Sequence, residues 1–253
     1  MKKIKPMAIV ALTTGLLAGL AQATPSTTYW TPDTTDIQGY KVLHLGIDNY
    51  FTALRKQSNG AGSFPTDLQL EYGLLPFEKL QAEIGVDYLE PSDYPLLFNA
   101  KLGTPEGALF GGSPALNVGL FNVGTKKGVT DYNIGDVIVG KTIPYFGRLF
   151  VGGYLGNAKT LVNSAGQSDN AGIMLAMDHG VWNVKEQNGD AYSRWVFAAD
   201  WMSGKNAVGG GGAGLYYYFT KNISLLTGPV FFNDAGINGQ WKWTTQLDIN
   251  VPF

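Results

Sequence analysis

Apolar and polar residues alternate with a period of two along most of this chain, most cleanly at its end. From Trp241 to Phe253, one face carries Trp241, Trp243, Leu247, Ile249, Val251 and Phe253, with Thr245 among them. The other carries Lys242, Thr244, Gln246, Asp248 and Asn250, and Pro252 breaks the rule beside the terminus. Such alternation predicts a strand with one apolar and one polar face. A strand of a soluble sheet runs to about five or six residues, whereas about nine to eleven tilted residues cross a bilayer. The terminal stretch has the length for a crossing.

The same period recurs upstream. Leu43, Leu45 and Ile47 share a face opposite His44, Gly46 and Asp48 in a first strand expected near 40–51. A hairpin follows: Leu68, Leu70, Tyr72 and Leu74 alternate with Gln69, Glu71 and Gly73. The tight Leu75-Pro76-Phe77-Glu78-Lys79 turn then leads to Leu80, Ala82, Ile84, Val86 and Tyr88, alternating with Gln81, Glu83, Gly85 and Asp87. Shorter alternating stretches lie near 98–102, 116–120, 136–139, 148–155, 173–178, 194–201, 215–219 and 223–232. Together they predict about twelve strands, within a range of about ten to fourteen, separated by loops rich in Gly, Asn, Ser and Asp. Short connections near 75–79, 143–147 and 220–222 alternate with longer ones near 52–66, 157–170 and 233–239, which is the loop asymmetry of a transmembrane barrel. The stretches 104–114 and 179–191 break that asymmetry, although Asn188-Gly189 fits a hairpin turn after an extended eighth strand. An even strand count puts both barrel ends on one side, expected to be the periplasm.

The N-terminus reads as an export address. Lys2, Lys3 and Lys5 precede an apolar run from Met7 to Leu20, and Ala21-Gln22-Ala23 fits a small-residue cleavage site. The run is shorter than the roughly twenty residues of a membrane-spanning helix. Residues 1–23 are thus expected to be a cleaved signal peptide. Residues 24–38 form a polar periplasmic lead-in with Trp30 and Pro32 as its anchors, free to tuck into the barrel mouth, and 39–253 form the barrel.

Composition narrows the function. Removal of the three leader lysines leaves 15 basic and 20 acidic residues, a formal charge of −5. A nucleic-acid partner wants a basic stripe, and no Lys/Arg run follows residue 5. With no cysteine, disulfides, thiolate metal sites and cysteine nucleophiles are excluded. A closed, hydrogen-bonded barrel supplies the missing staples. The 34 glycines, with 6 Trp, 13 Tyr and 13 Phe, suit tight turns and aromatic girdles.

With its leader, its alternating strands and an ending in which Phe253 follows alternating apolar residues, the chain resembles Gram-negative outer-membrane β-barrel proteins of the porin or small-transporter type. The ending specifies the class and no subfamily. The resemblance implies an all-β, closed antiparallel transmembrane barrel in outer-membrane lipid. Residues Trp243, Leu247, Ile249, Val251 and Phe253 would serve as the signal read by the barrel-assembly machinery.

Two motifs tempt and fail. Gly135 to Thr142 matches the Walker A expression, but its spacer is the strand-like Asp-Val-Ile-Val, and Ile143-Pro144 stands where a helix should begin. Gly209-x-Gly211-x-x-Gly214 matches a dinucleotide fingerprint but precedes Leu-Tyr-Tyr-Tyr-Phe, another strand, without a βαβ context. His44 and His179 are the candidates for hydrolase chemistry. Neither has a serine or metal-ligand spacing nearby, so no catalytic, metal or cofactor residues are assigned.

The polar faces carry more information. Asp48, Glu71, Glu83 and Asp87 fall on the non-lipid side of the first three strands. Pairing as hairpins is expected to set Asp48 near Glu71 and Glu71 near Glu83, as an acidic lumen wall. Lys101, Arg148, Arg194 and Lys242 are the basic partners that alternation allows. The leading expectation is a passive channel for a small polar solute through this lumen. A lipid-modifying hydrolase of the outer membrane and a structural or adhesion barrel closed by salt bridges are the competing readings.

Overall fold

The computed structural model describes residues 27–54, 62–187 and 189–253. The expected signal peptide at 1–23, most of the polar loop after the first strand, and Asn188 lie outside the described residues. Twelve strands close into one antiparallel barrel, each paired with its sequence neighbours and the first with the last. They are β1 (Val42–Phe51), β2 (Thr66–Gly73), β3 (Gln81–Glu90), β4 (Leu96–Thr104), β5 (Ala115–Gly124) and β6 (Asp131–Ile143), followed by β7 (Gly147–Leu155), β8 (Ala171–Lys185), β9 (Ala191–Met202), β10 (Gly210–Thr220), β11 (Ile223–Phe232) and β12 (Lys242–Pro252). A four-residue helix, α1 (Ala235–Asn238), sits in the last loop. Closure runs from Val42 opposite Pro252 to Phe51 opposite Trp243, and the Phe253 N–H donates to the Lys41 carbonyl at 3.0 Å. It leaves no strand edge unpaired, the condition for a sheet to sit in hydrocarbon.

The faces follow the alternation. Leu45, Ile84, Val118, Val137 and Val151 point outward and are 39–57% exposed, as part of an apolar belt around the whole barrel. The residues between them, among them His44, Asp48, Glu83, Asn117 and Asp136, point inward and are buried. That inversion, apolar outside and polar inside, is the signature of a barrel whose solvent is lipid. Exposed aromatics crown the belt at both ends, with Phe77, Tyr145, Phe146 and Phe253 at the end where β1 begins and β12 finishes and Phe51, Tyr88, Phe98 and Trp201 at the far end.

The connection at 105–114 is long, as expected. The one expected at 179–191 shrinks, because β8 continues to Lys185 and β9 starts at Ala191, so Asn188-Gly189 falls in the short link between them. The inner wall is not uniformly polar. On the β5–β9 side Phe121, Ile134, Ile138, Phe150, Tyr154 and Met174 help form one buried apolar cluster, and Tyr29, Tyr50, Tyr192, Tyr216, Leu226 and Val230 help form a second.

Candidate functional site

The segment expected as a lead-in goes further than the barrel mouth. Residues 27–39 run through the lumen, and Thr28, Tyr29, Thr31, Asp33, Thr34 and Gln38 are each no more than 5% exposed. Three kinds of contact hold them. The ring of Tyr29 lies in a slot that only glycine can provide: a Cβ on Gly212 or Gly214 would come within 2.4 or 2.5 Å of the ring, and one on Gly228 within 2.7 Å of its hydroxyl. That hydroxyl donates to the Pro229 carbonyl at 3.0 Å. The glycines that matched a dinucleotide fingerprint thus open a strand, as the sequence implied, and Gly214 gives its space to an aromatic ring of the same chain.

Asp200, two residues before the far end of β9, makes the second contact. One of its oxygens accepts hydrogen bonds from the backbone N–H groups of Tyr29, Trp30 and Thr31 at 3.0, 2.7 and 2.8 Å, and from the Thr31 hydroxyl at 3.1 Å. Successive N–H groups converging on one carboxylate form an anion nest, here closed by the protein's own side chain. The third contact is Arg148 on β7. It holds Asp36 of the segment through two hydrogen bonds at 2.6 and 2.8 Å, and Asp178 of β8 through its Nε and a terminal nitrogen. A planar guanidinium bridging two carboxylates in fork geometry is among the strongest side-chain contacts available. Lower down, the Gln38 N–H donates to Glu83 at 2.6 Å, while Lys101 and Asn117 both donate to the Thr34 carbonyl, at 3.3 and 2.9 Å.

Beside this segment a cavity of about 340 Å³ remains, bounded by β1–β6 and reaching the far-end residues Phe64, Leu89, Asn122 and Asn238. Six carboxylates line it: Asp48, Asp67, Glu71, Glu83, Asp87 and Asp136. Lys101, the Cα partner of Glu83, is the one ammonium among the lining residues. Among them stands an aromatic cluster in which Trp30 contacts Tyr50 at 5.0 Å and Phe64 at 6.1 Å between ring centres, and the Tyr50 hydroxyl donates to Asp48 at 3.4 Å.

All four acidic residues expected from the sequence therefore face one chamber, but their pairing differs from expectation. Asp48 lies opposite Asp67 and Glu71 opposite His44 across β1–β2, while Gly73 lies opposite Glu83 and Gln69 opposite Asp87 across β2–β3. Alternation fixes a side chain's face, whereas a slip of two residues changes its neighbour without changing its face. Asp67 escaped the sequence reading because the second strand appeared to start at Leu68. Of the basic residues, Lys101 joins the wall and Arg148 holds the threaded segment. Lys242 is buried near the far end, 4.4 Å from the Phe64 ring centre and donating to the Asn238 carbonyl. Arg194, near the terminal end of β9, donates to the carbonyls of Tyr218 and Phe219.

The remaining candidates resolve into structural roles. Residues 135–142 form part of β6, and their Lys141 and Thr142 both bind Glu106, with Lys141 Nζ at 2.7 Å from the carboxylate. Partial burial would raise the Glu106 pKa, but the hydrogen bonds from Lys141 and Thr142 outweigh it and hold the carboxyl below its ordinary value. The lysine and threonine that a phosphate loop would use are thus already engaged. His44 does meet a serine's network: its Nδ1 lies 2.9 Å from Asn250, its Nε2 3.7 Å from Asp248, and Ser224 donates to Asp248 at 3.1 Å. The order is wrong for nucleophilic chemistry, because the carboxylate stands between the hydroxyl and the imidazole, where a base must touch the nucleophile. His44, Ser224 and Asp248 are also each no more than 1% exposed. His179 belongs to β8, with its neighbour Asp178 directed inward to Arg148.

No protein-family model matches the chain, and no curated protein matches it. Among solved structures, the NanC porin aligns over 83% of this chain and 100% of its own, at 8% identity and a TM-score of 0.52. An outer-membrane channel from Pseudomonas putida F1 aligns over 90% and 99%, at 10% identity and a TM-score of 0.46. The outer-membrane phospholipase A of Escherichia coli aligns over 86% and 94%, at 12% identity and a TM-score of 0.42. At identities this low the likeness is one of fold. This chain is a closed, twelve-stranded antiparallel β-barrel with the architecture of outer-membrane porins and channels.

Proposed function

We propose that this protein is an outer-membrane channel that passes small cationic solutes along an acidic lumen, with residues 27–39 forming its constriction. The observation that carries the reading is the chamber itself, whose lining holds six carboxylates and one ammonium. Charges of one sign in a low-dielectric pore concentrate the opposite ion and repel the like one. Barrels of about eight strands fill their interior with side chains, and larger ones leave space, which suits a chamber of this size. The leader-like N-terminus and the Phe253 ending support export and insertion from the periplasm, so that the barrel end where β1 begins and β12 finishes faces the periplasm and the chamber opens outward. Planar-bilayer recording of the refolded protein tests the reading. Discrete cation-selective openings are expected, and silent bilayers containing folded barrel would overturn it.

The closed structural barrel remains the second reading, and one observation favours it. The Arg148 bridge from β7 and the Asp200 nest from β9 fix residues 27–39 inside the lumen at two separate points. The two readings part on whether the segment can leave.

A further inference from the structure

Three of the chamber's six acidic residues keep buried oxygens that no donor of the protein reaches, while Asp48 and Asp67 accept from Gln69 through their other oxygen. Asp136, on the lumen face of β6, is 5% exposed, and neither of its oxygens meets a hydrogen-bond donor. One oxygen of Asp48, also 5% exposed, is likewise without a donor, as is one of Asp67. Buried carboxylate oxygens are costly to leave unpaired. Of the nearby cations, Lys101 donates to the Thr34 carbonyl and Arg148 bridges Asp36 and Asp178, and neither donates to the open oxygens of Asp136, Asp48 or Asp67.

A metal ion does not fit the arrangement. Among the described residues, no three His, Asp or Glu groups converge to hold one. The carboxylates are instead spread over β1, β2, β3 and β6, and the same chamber is lined by the aromatic side chains of Trp30, Tyr50, Phe64 and Phe121. A volume of about 340 Å³ falls at the lower end of small-molecule sites, which span roughly 300–1,000 Å³. An occupant matching these features carries separated positive charges on a hydrocarbon body. Its ammonium groups donate to Asp136 and Asp48, and its methylene chain lies along the aromatic wall, where a cation also gains from the ring faces.

We infer that the chamber is a binding site for short organic diammonium ions, with Asp136 and Asp48 as the charge-pairing residues. This rests on the channel reading for its biological sense and on the chamber alone for its chemistry.

The test is calorimetric titration of the refolded, full-length protein in detergent with 1,5-diaminopentane as the probe. Saturable binding at one site is expected, with no binding of glutarate or pentanol, which have the same length but negative or no charge. Asp136→Asn and Asp48→Asn should each weaken diamine binding about tenfold, the equivalent of about 1.4 kcal/mol. Glu106→Gln, which alters charge outside the chamber, should leave it unchanged. If one chamber variant fails to reach the folded, heat-modifiable form, the other decides. Absence of diamine binding to the native protein, equal affinity in native and both chamber variants, or equal affinity for magnesium would each overturn the inference. Cation-selective current without diamine binding defeats this inference and spares the channel. Diamine binding without current defeats the channel and spares this inference.

Discussion

Replacing Asp200 by alanine should release residues 27–39 from the lumen while the barrel stays folded. The carboxylate accepts three backbone N–H bonds and one hydroxyl bond on a single oxygen, at 2.7–3.1 Å. A hydrogen bond to a charged group is worth about 1.5–3 kcal/mol net, and each buried N–H left unpaired costs about 1–3 kcal/mol. These do not add in full, because a segment that leaves the lumen recovers its hydrogen bonds from water. Taking about 3 kcal/mol as the net loss, the released population rises roughly 100-fold. The Arg148 clamp on Asp36 is untouched, so release begins at the Tyr29–Thr31 stretch, which loses the nest and keeps the tyrosine slot. The chain has no native cysteine, so a single Thr34→Cys reporter is unambiguous, and Thr34 is 1% exposed in the docked state. In Asp200→Ala, a membrane-impermeant maleimide should modify that cysteine much faster than in the parent, and mean conductance should rise. Equal labelling rates and unchanged conductance in a folded variant would refute the assignment of Asp200 as the anchor.

Gly214→Val should lower the yield of heat-modifiable barrel or expel Tyr29, since even a Cβ there lies 2.5 Å from both the ring and the Thr227 carbonyl. Gly135→Ala should be tolerated, because its Cβ meets nothing closer than 3.9 Å. Leu70→Arg should cost roughly 2–4 kcal/mol more than Gln69→Arg in equilibrium unfolding from lipid vesicles, because Leu70 faces lipid and Gln69 the lumen; equal costs would mean the faces are misassigned. Deleting Phe253, exposed at the belt's edge, should lower the folded fraction recovered from outer membranes, and an unchanged yield would remove its role as an assembly signal.

The barrel was legible in the sequence because period-two alternation is a local property that survives without knowledge of partners. Leu68, Leu70, Gln69 and Glu71 declare their faces in four residues. The weak β7 alternation of Leu149 and Val151 against Arg148 and Phe150 also survives in the structure. Register was not legible, since the loop joining β1 to β2 is too long for turn chemistry to set it, and Asp48 consequently finds Asp67 rather than Glu71. The segment at 27–39 has no period at all. Its place depends on contacts more than a hundred residues away in sequence, from Asp200, Arg148 and the Gly212–Gly214–Gly228 slot. The one local hint was a cluster of glycines in a strand, and glycine in a strand marks close approach by another group. The acidic wall was half legible: the first three strands gave four of its members, while Asp136 was hidden inside a stretch that drew attention as a phosphate loop.

The reversal potential of the refolded protein in a salt gradient tests the central claim most directly. At a few ångströms in a partly wet pore, each wall carboxylate is worth on the order of 1–4 kcal/mol to a passing ion, and screening weakens this as salt rises. A cation-selective potential is predicted for the native protein, stronger at low salt. Asp67→Asn/Asp87→Asn, which leaves the contacts of residues 27–39 intact, should shift it toward the non-selective value. A potential that ignores both the salt level and the loss of the two charges would contradict the acidic lumen as the pathway.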